Sequence, residues 1–333
     1  MEFAIQVGGG QAPHDSTGLE AIVEETLLAE ELGFDVTFVP DHYVFESLGN
    51  LLTGMPAYEL FLVMATLAQR TKRIHIGSHV ACLLFRHPVM HARLFAQLDE
   101  ASGGRVIAGV GAGWTRAEFE MMGLEFPDIS ERLRIMDEAV EVMRGLWREE
   151  RFSFTGRYFQ LAEAVCLPKP VQRPGPPLML GGGGNGILRR AGTWADIIHM
   201  VPVLGAAGTA TFDEIRKFDD DGLADKLARV RAAEARAGRA PGTVRFASTV
   251  FTYSPTDSPA QTAKIAEGMA GAFGLSPDAL RRHPVALIGT PEEMIEELRR
   301  REKVHGLSLL ALNFSSAAQL RDFGARVLPH VRS

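Results

Sequence analysis

The stretch from residue 74 to residue 119, IHIGSHVACLLFRHPVMHARLFAQLDEASGGRVIAGVGAGWTRAEF, decides the fold of this chain. Ile74, Ile76 and the apolar run from Val80 to Leu84 predict a buried strand. Pro88 then opens a helix at the first turn, where a missing N–H is harmless. A second buried strand is predicted over residues 105–110. This βαβ unit brings two strand tips to the carboxyl edge of a parallel sheet, where ligands bind: residues 79–82 and 111–114.

The same alternation of strand and helix continues in both directions along the chain. Eight β-then-α units can be counted, and no Gly-x-Gly-x-x-Gly follows the first strand, which favours a closed barrel over a doubly wound sheet. We therefore predict an α/β fold, a (β/α)8 TIM barrel forming one domain over residues 1–333. The eight barrel strands are expected near residues 3, 36, 76, 107, 179, 198, 247 and 310.

One excursion interrupts this alternation between the fourth and fifth strands, over about residues 115–177. Within it, a hairpin should turn at Thr155-Gly156, and Ser130 should cap a long amphipathic helix. Residues 44–55, between the second strand and the next helix, are predicted to be loop.

Composition narrows the functional classes. The net charge is −6, so nucleic acid and anionic membrane surfaces are not expected as partners. No apolar run approaches the roughly 20 residues that a membrane helix needs. Only two cysteines occur, and no export signal is recognised, so we expect a reducing, cytoplasmic location. No Cys-x-x-Cys motif occurs, and no metal site is predicted.

Two histidines stand at predicted strand ends. Asp41-His42 closes the second strand, where the catalytic groups of barrels converge, although a histidine that simply caps a strand is the alternative. His79, followed by Val80 and Ala81, interrupts the apolar third strand. It is either a buried histidine with its hydrogen bonds satisfied or a sign of unusual backbone at a ligand-binding face.

Glycines mark the ends of the fourth and fifth strands. Gly111 and Gly113 precede Trp114, and they either let a flat ring approach the backbone or allow tight packing in a barrel turn. The run Gly181, Gly182, Gly183, Gly184 and Asn185 opens a helix, so its free N–H groups and the helix dipole favour a phosphate.

These pieces together resemble the luciferase-like monooxygenases over nearly the full length of the chain. The resemblance rests on several motifs: Val39-Pro40-Asp41-His42, Phe85-Arg86-His87-Pro88, Leu98-Asp99 through Arg105, Gly109 through Trp114 with Glu118-Phe119, the proline-rich stretch 168–177, and Gly181 to Gly184. It implies a (β/α)8 barrel with an insertion, and a cofactor that is either reduced FMN or the deazaflavin coenzyme F420.

Within that family the chain looks most like the branch that depends on coenzyme F420. The resemblance implies that Asp41 and His42 lie beside the deazaflavin ring, with His42 donating or accepting a proton. It also implies that the peptide bond at His79–Val80 is a non-prolyl cis bond behind the ring. The glycine run is implied to hold the coenzyme phosphate. The implied function is hydride transfer between F420 and a small organic substrate. Two alternatives stay open: an FMNH2-dependent monooxygenase, and a non-redox barrel that binds a phosphate-bearing ligand.

The sequence does not name the substrate. Sugar-phosphate dehydrogenases of the family carry a glutamate where this chain has Trp114, so that activity is not expected. Residues 43–55, 115–128 and 202–222 should line the pocket, and 202–222 should be mobile without ligand because apolar residues lack a fixed period there. By analogy with such barrels, two helices should form a homodimer face.

Overall fold

The computed structural model describes residues 1–8, 18–47, 50–52, 56–203 and 211–332. In these ranges the strands are β1 Glu2–Gln6, β2 Val36–Val39, β3 Phe45–Ser47, β4 Asn50–Leu52, β5 His75–Ser78, β6 Ala81–Cys82, β7 Val106–Gly111, β8 Phe152–Thr155, β9 Gln160–Ala164, β10 Leu178–Gly181, β11 Ile197–Met200, β12 Arg245–Val250, β13 Thr252–Pro255, β14 Ala286–Gly289 and β15 Leu307–Leu312.

The helices of the same ranges alternate with these strands along most of the chain. They are α1 Leu19–Leu32, α2 Leu60–Arg70, α3 Pro88–Ser102, α4 Arg116–Met121, α5 Ile129–Arg148, α6 Asn185–Trp194, α7 Phe212–Arg216, α8 Asp220–Arg236, α9 Pro259–Phe273, α10 Pro277–Arg282, α11 Pro291–His305, α12 Ala317–Arg326 and α13 Leu328–Val331.

Eight parallel strands form a closed barrel. The order around it is β1, β2, β5, β7, β10, β11, β12 and β15, and both the β1–β15 and the β7–β10 pairings are made, so the sheet has no free edge. The short strand β6 continues β5 and also pairs with β7. The predicted (β/α)8 barrel is confirmed, and its eight strands lie at the eight expected places.

Two layers of apolar side chains hold the barrel together. The larger one lies between the strands and the surrounding helices. The smaller one fills the inside of the barrel with one or two residues from most strands: Ala4, Val36, Phe38, Ile107, Met179, Ile197, Ala247, Leu309 and Ala311. Because side chains of a strand alternate between its two faces, this inner set also identifies which later residues of each strand face the barrel mouth.

The region between the fourth and fifth barrel strands holds more than an insertion. It contains α5, which packs on α3 as the regular fourth helix of the barrel, and only α4 and the β8–β9 hairpin are additions. The hairpin turns after Thr155 as predicted. The predicted cap at Ser130 is wrong, because Asp128 is the N-cap and its side chain accepts from the Glu131 N–H.

Two further departures from the sequence prediction lie near the barrel ends. Residues 44–55 are not all loop, since β3 and β4 pair as antiparallel strands. A small parallel pair, β13 and β14, was not predicted; it lies outside the barrel sheet. The segment predicted to be mobile, 202–222, falls partly outside the described residues, and its described portion includes α7 and the start of α8.

Candidate active site at the barrel mouth

Four neighbouring strands bring the sequence-predicted residues to one half of the barrel mouth. His42 follows β2, His79 follows β5, the segment Gly111–Trp114 ends β7, and the run Gly181–Asn185 ends β10. Because β2, β5, β7 and β10 are adjacent in the barrel, these groups form a continuous wall. We call this half of the mouth the histidine–glycine wall.

The peptide bond between His79 and Val80 is cis, as the resemblance implied. It separates β5 from β6, and the His79 N–H donates to the Val39 carbonyl at 2.7 Å. The His79 ring stacks on Phe38, with ring centroids 5.0 Å apart. Burial, and secondarily the charge of His42, lowers the pKa of His79 to about 4, so the ring is neutral at pH 7.

Close packing against Val80 and Cys82 accounts for three glycines at the ends of the fourth and fifth strands. A Cβ atom on Gly111 would lie 2.7 Å from Val80 Cγ2, and one on Gly181 would lie 2.9 Å from Val80 Cγ1. A Cβ on Gly113 would meet Cys82 Sγ at 2.8 Å, and Gly113 has a φ of 72° that favours glycine. At these positions the tight-packing interpretation describes what the structure shows.

His42 is held by a buried carboxylate that sequence reasoning did not assign to the site. Its Nδ1 lies 3.1 Å from Glu118 Oε1, and the side chain of Glu118 is 2% exposed. The same oxygen accepts the backbone N–H of Tyr43 at 2.7 Å, so Glu118 acts as an acceptor and His42 Nδ1 donates. Trp114 meets His42 edge to face at 5.6 Å. Because Nδ1 carries the donated proton, Nε2 is the ring nitrogen of His42 that can accept a proton.

Asp41, next to His42, is engaged differently. Arg86 contacts both its carboxylate oxygens, at 2.8 and 3.0 Å, and the Cys82 N–H donates to Oδ2 at 3.0 Å. Arg86 also donates to Glu59, the N-cap of α2, at 2.6 Å. Asp41 therefore fixes the backbone just beyond the cis peptide. The catalytic role that the sequence predicted for Asp41 stays a prediction.

The glycine run opens α6 and carries unused donors. The N–H groups of residues 183–186 have no acceptor among the described residues, as expected in the first turn of a helix. Two cations of α8 lie against the run: Lys226 donates to the Gly183 carbonyl at 2.7 Å, and Arg229 donates to Asn185 Oδ1 at 2.9 Å. Burial lowers the pKa of Lys226. Such a loop is suited to an anion.

A further histidine, which the sequence analysis missed, lies inside the barrel beside His79. His199 on β11 is fully buried, and the two ring centroids are 4.1 Å apart. Its Nε2 lies 2.7 Å from Thr249 Oγ1, while Nδ1 has no partner among the described residues. Burial lowers the pKa of His199 well below the usual value, and the charge of His79 is a second, smaller cause. The alternation of inward positions along β11 was the signal that could have found it.

Other kinds of site are not indicated by the described residues. Within those ranges, no group of three or more His, Cys, Asp or Glu side chains is placed to hold a metal ion. None of the helices there is long and apolar enough to cross a membrane.

The fold agrees with that of known proteins. A sequence model described as luciferase-like monooxygenase matches residues 1–306. The chain belongs to the luciferase-like monooxygenase family. The resemblance to this family, which the sequence motifs indicated, is therefore confirmed.

Several relatives of this family member are named F420-dependent glucose-6-phosphate dehydrogenase. The protein from Amycolatopsis mediterranei is 33% identical over 190 residues, which is 56% of this chain and 55% of that relative. The protein from Intrasporangium calvum is 27% identical over 344 aligned positions, covering 97% of this chain and 98% of that relative. The first alignment thus spans little more than half of its relative's own length.

Solved structures share the fold of this chain over its whole length. An F420-dependent secondary alcohol dehydrogenase in complex with an F420-acetone adduct matches with a TM-score of 0.76 and 24% identity, covering 100% of this chain and 99% of that one. An EDTA monooxygenase from Chelativorans sp. BNC1 matches with a TM-score of 0.78 and 17% identity, covering 100% and 93%. At these sequence identities the similarity shows a shared fold and nothing about the reaction.

Proposed function

We propose that this protein is an oxidoreductase that uses coenzyme F420 to transfer a hydride to or from a small organic substrate. Membership of the luciferase-like monooxygenase family and the names of its relatives support this proposal. The observation that carries it is the histidine–glycine wall. It joins a histidine held by a carboxylate to an anion-binding loop on neighbouring strand ends.

The residues present fit a phosphate-bearing, flat cofactor. The unused N–H groups of residues 183–186, with Lys226 and Arg229 beside them, would hold the phosphate. The segment His79–Ala81 and Trp114 would border the ring. When bound, the deazaflavin supplies hydride chemistry at C5, and the protein supplies binding, orientation and exclusion of water.

His42 is the residue that handles a proton in this proposal. Glu118 accepts from Nδ1, fixes the tautomer and stabilises the positive charge that the ring takes up when Nε2 is protonated. Asp41 is instead held by Arg86, which contacts both carboxylate oxygens, and by the Cys82 N–H, which donates to Oδ2. The proton therefore moves at His42 Nε2, and Asp41 holds the neighbouring backbone.

Titration with the two cofactors tests the proposal. Oxidised F420 and FMN are added separately to the protein, and fluorescence quenching and thermal shift are followed. We expect F420 to bind and FMN to bind much more weakly. Tight FMN binding with loss of F420 binding would favour a flavin monooxygenase. Binding of neither, with retained binding of inorganic phosphate, would favour a non-redox barrel.

A glycine variant sharpens this titration. Gly183 is a poor choice, because a Cβ there would collide with the Val201 carbonyl oxygen and disturb the loop itself. Gly184 has no atom within 4 Å of a built Cβ and an ordinary φ of −79°. Gly184→Val should therefore weaken F420 binding while thermal stability without cofactor stays the same. Gly268→Val on α9, another open position, is the matched control.

We also infer that the protein is a homodimer through α2 and α3. These two helices pack side by side, and each presents a large apolar side chain to solvent: Leu62 is 68% exposed and Met90 is 48% exposed. Leu62→Lys combined with Met90→Lys should convert a dimer to a monomer in analytical ultracentrifugation. A monomeric wild-type protein at micromolar concentration would refute this.

A further inference from the structure

The half of the barrel mouth opposite the histidine–glycine wall is formed by the ends of β11, β12, β15 and β1. On each of these strands one residue faces the inside of the barrel near its carboxyl end. The inward direction follows from alternation: Ala4, Ile197, Ala247 and Ala311 belong to the inner core. Two positions further along stand four uncharged polar residues, which we call the neutral wall: Gln6, His199, Thr249 and Asn313.

Register brings these four residues together. Ile5 pairs with Leu312, so the next residues along the two strands, Gln6 and Asn313, are neighbours. Thr249 pairs with Ala311, which lies two residues before Asn313. The hydroxyl oxygen of Thr249 lies 2.7 Å from His199 Nε2. The neutral wall is thus continuous across four strands, and through His199 it meets His79.

Hydrogen-bonding atoms of this region are buried without partners. His199 Nδ1, Asn313 Oδ1 and the neighbouring His79 Nδ1 have no hydrogen-bond partner among the described residues, and His199 is fully buried. Buried polar atoms of folded proteins are nearly always paired, so three in one region indicate groups that a ligand completes. A hydroxyl group both donates and accepts, and can therefore pair with an amide oxygen and with a neutral imidazole.

The three cations described at the histidine–glycine wall are engaged within that wall. Arg86 is bound to Asp41 and Glu59, and Lys226 and Arg229 lie against the glycine run. The segments that follow the four strands contain no lysine or arginine in the sequence: residues 7–17, 201–211, 251–263 and 313–320. A phosphate ester on the neutral wall would be desolvated without a counter-charge.

We propose that the neutral wall binds the substrate, and that this substrate is an uncharged, hydroxyl-bearing molecule and not a phosphate ester. This assignment rests on the proposed function, since it places the substrate opposite the wall that holds the cofactor. It separates this chain from its relatives that are named glucose-6-phosphate dehydrogenase, although the chain is similar to them in sequence.

Binding measurements on the full chain test the assignment independently of turnover. Saturation-transfer NMR is recorded with propan-2-ol, cyclohexanol, glucose and glucose 6-phosphate, each with and without F420. We expect at least one uncharged compound to bind at least tenfold more tightly than glucose 6-phosphate.

Asn313→Ala should weaken that binding about tenfold without changing the affinity for F420. Gln97→Ala, at an exposed position of α3, is the control.

The variant Gln6→Ala repeats the test at a partly exposed residue, in case Asn313→Ala does not fold. Tighter binding of glucose 6-phosphate than of every uncharged compound would overturn the assignment. Unchanged affinity for the uncharged compounds in both folded variants would do the same. If F420 fails to bind while an uncharged compound still binds through Asn313, the proposed cofactor is wrong and the neutral wall stands.

Discussion

The histidines of the barrel mouth fall into two groups that differ in their partners. His42 is paired with the carboxylate of Glu118, and its side chain is 20% exposed. His79 and His199 lie against each other deeper in the barrel, and each has an Nδ1 without a partner among the described residues. Burial lowers the pKa of both buried histidines, His79 to about 4.

This difference shows that the neighbours of a histidine, and not its place at a strand end, decide its chemistry. A carboxylate partner stabilises the protonated ring, so His42 suits proton transfer. Without such a partner, a buried ring stays neutral and serves as a hydrogen-bonding group. Four predictions test this contrast, from the largest expected effect to the smallest.

Replacing His42 should have the largest effect. His42→Asn keeps a hydrogen-bonding group but cannot titrate near neutral pH, so we expect kcat to fall about 10²–10⁴-fold, the usual contribution of a positioned acid or base. Affinity for F420 should change far less. Steady-state kinetics and the cofactor titration measure the two quantities. A rate close to wild type would show that His42 only caps the strand; His75→Asn, on the exposed far end of β5, is the control.

The low pKa of His79 predicts acid sensitivity. An unfolded histidine binds a proton below about pH 6.5, whereas folded His79 does so only below about 4. Stability should therefore fall as the pH drops from 6.5 to 4, by about 3 kcal/mol from this residue, and then level off. His79→Gln should remove that part of the slope in urea unfolding. Parallel pH profiles for wild type and variant would contradict the prediction.

Asp41 should matter for stability more than for chemistry. Asp41→Asn replaces one acceptor oxygen by an NH2 group and removes the negative charge, so Arg86 loses its charge-assisted bidentate contact, which we expect to lower the free energy of unfolding by about 2 kcal/mol. Chemical denaturation measures this loss, and Asp257→Asn at a highly exposed position is the control. A full loss of turnover in a variant of normal stability would instead return Asp41 to the catalytic residues.

Glu118 should act through His42. Glu118→Gln still accepts the N–H groups of Tyr43 and Val44 but lacks the negative charge. We expect kcat to fall about tenfold, KM to stay similar, and the pH dependence of the rate to change. Glu120→Gln, an exposed residue of the same helix, should change none of these. An unchanged pH profile for Glu118→Gln would leave Glu118 with a purely structural role.

The barrel could be predicted because its signals are local. Apolar strands, the helix start at Pro88 and the spacing of the alternation lie within short stretches of chain, and each was found in the structure. Strand-end residues such as His42 and His79 followed from the same count. The helix cap at Ser130 was misplaced by two residues because Asp128 offers the same chemistry one half-turn earlier.

Long-range partners could not be predicted in this way. Glu118 reaches His42 across 76 positions of the sequence, and Lys226 reaches Gly183 across 43. His199 and Asn313 looked like ordinary residues of buried strands, since their missing partners are visible only in three dimensions. Even the glycines before Trp114 needed the positions of Val80 and Cys82 to explain them.

A single-turnover experiment tests the central claim, hydride transfer from a deazaflavin beside His42, most directly. Reduced F420 carrying deuterium at C5 is bound to the protein without oxygen and mixed with the ketone of the best-bound alcohol. We expect the deuterium to appear on the carbinol carbon of the product with a primary isotope effect on the absorbance change. Cofactor oxidation that requires oxygen, or a product without deuterium, would contradict the account.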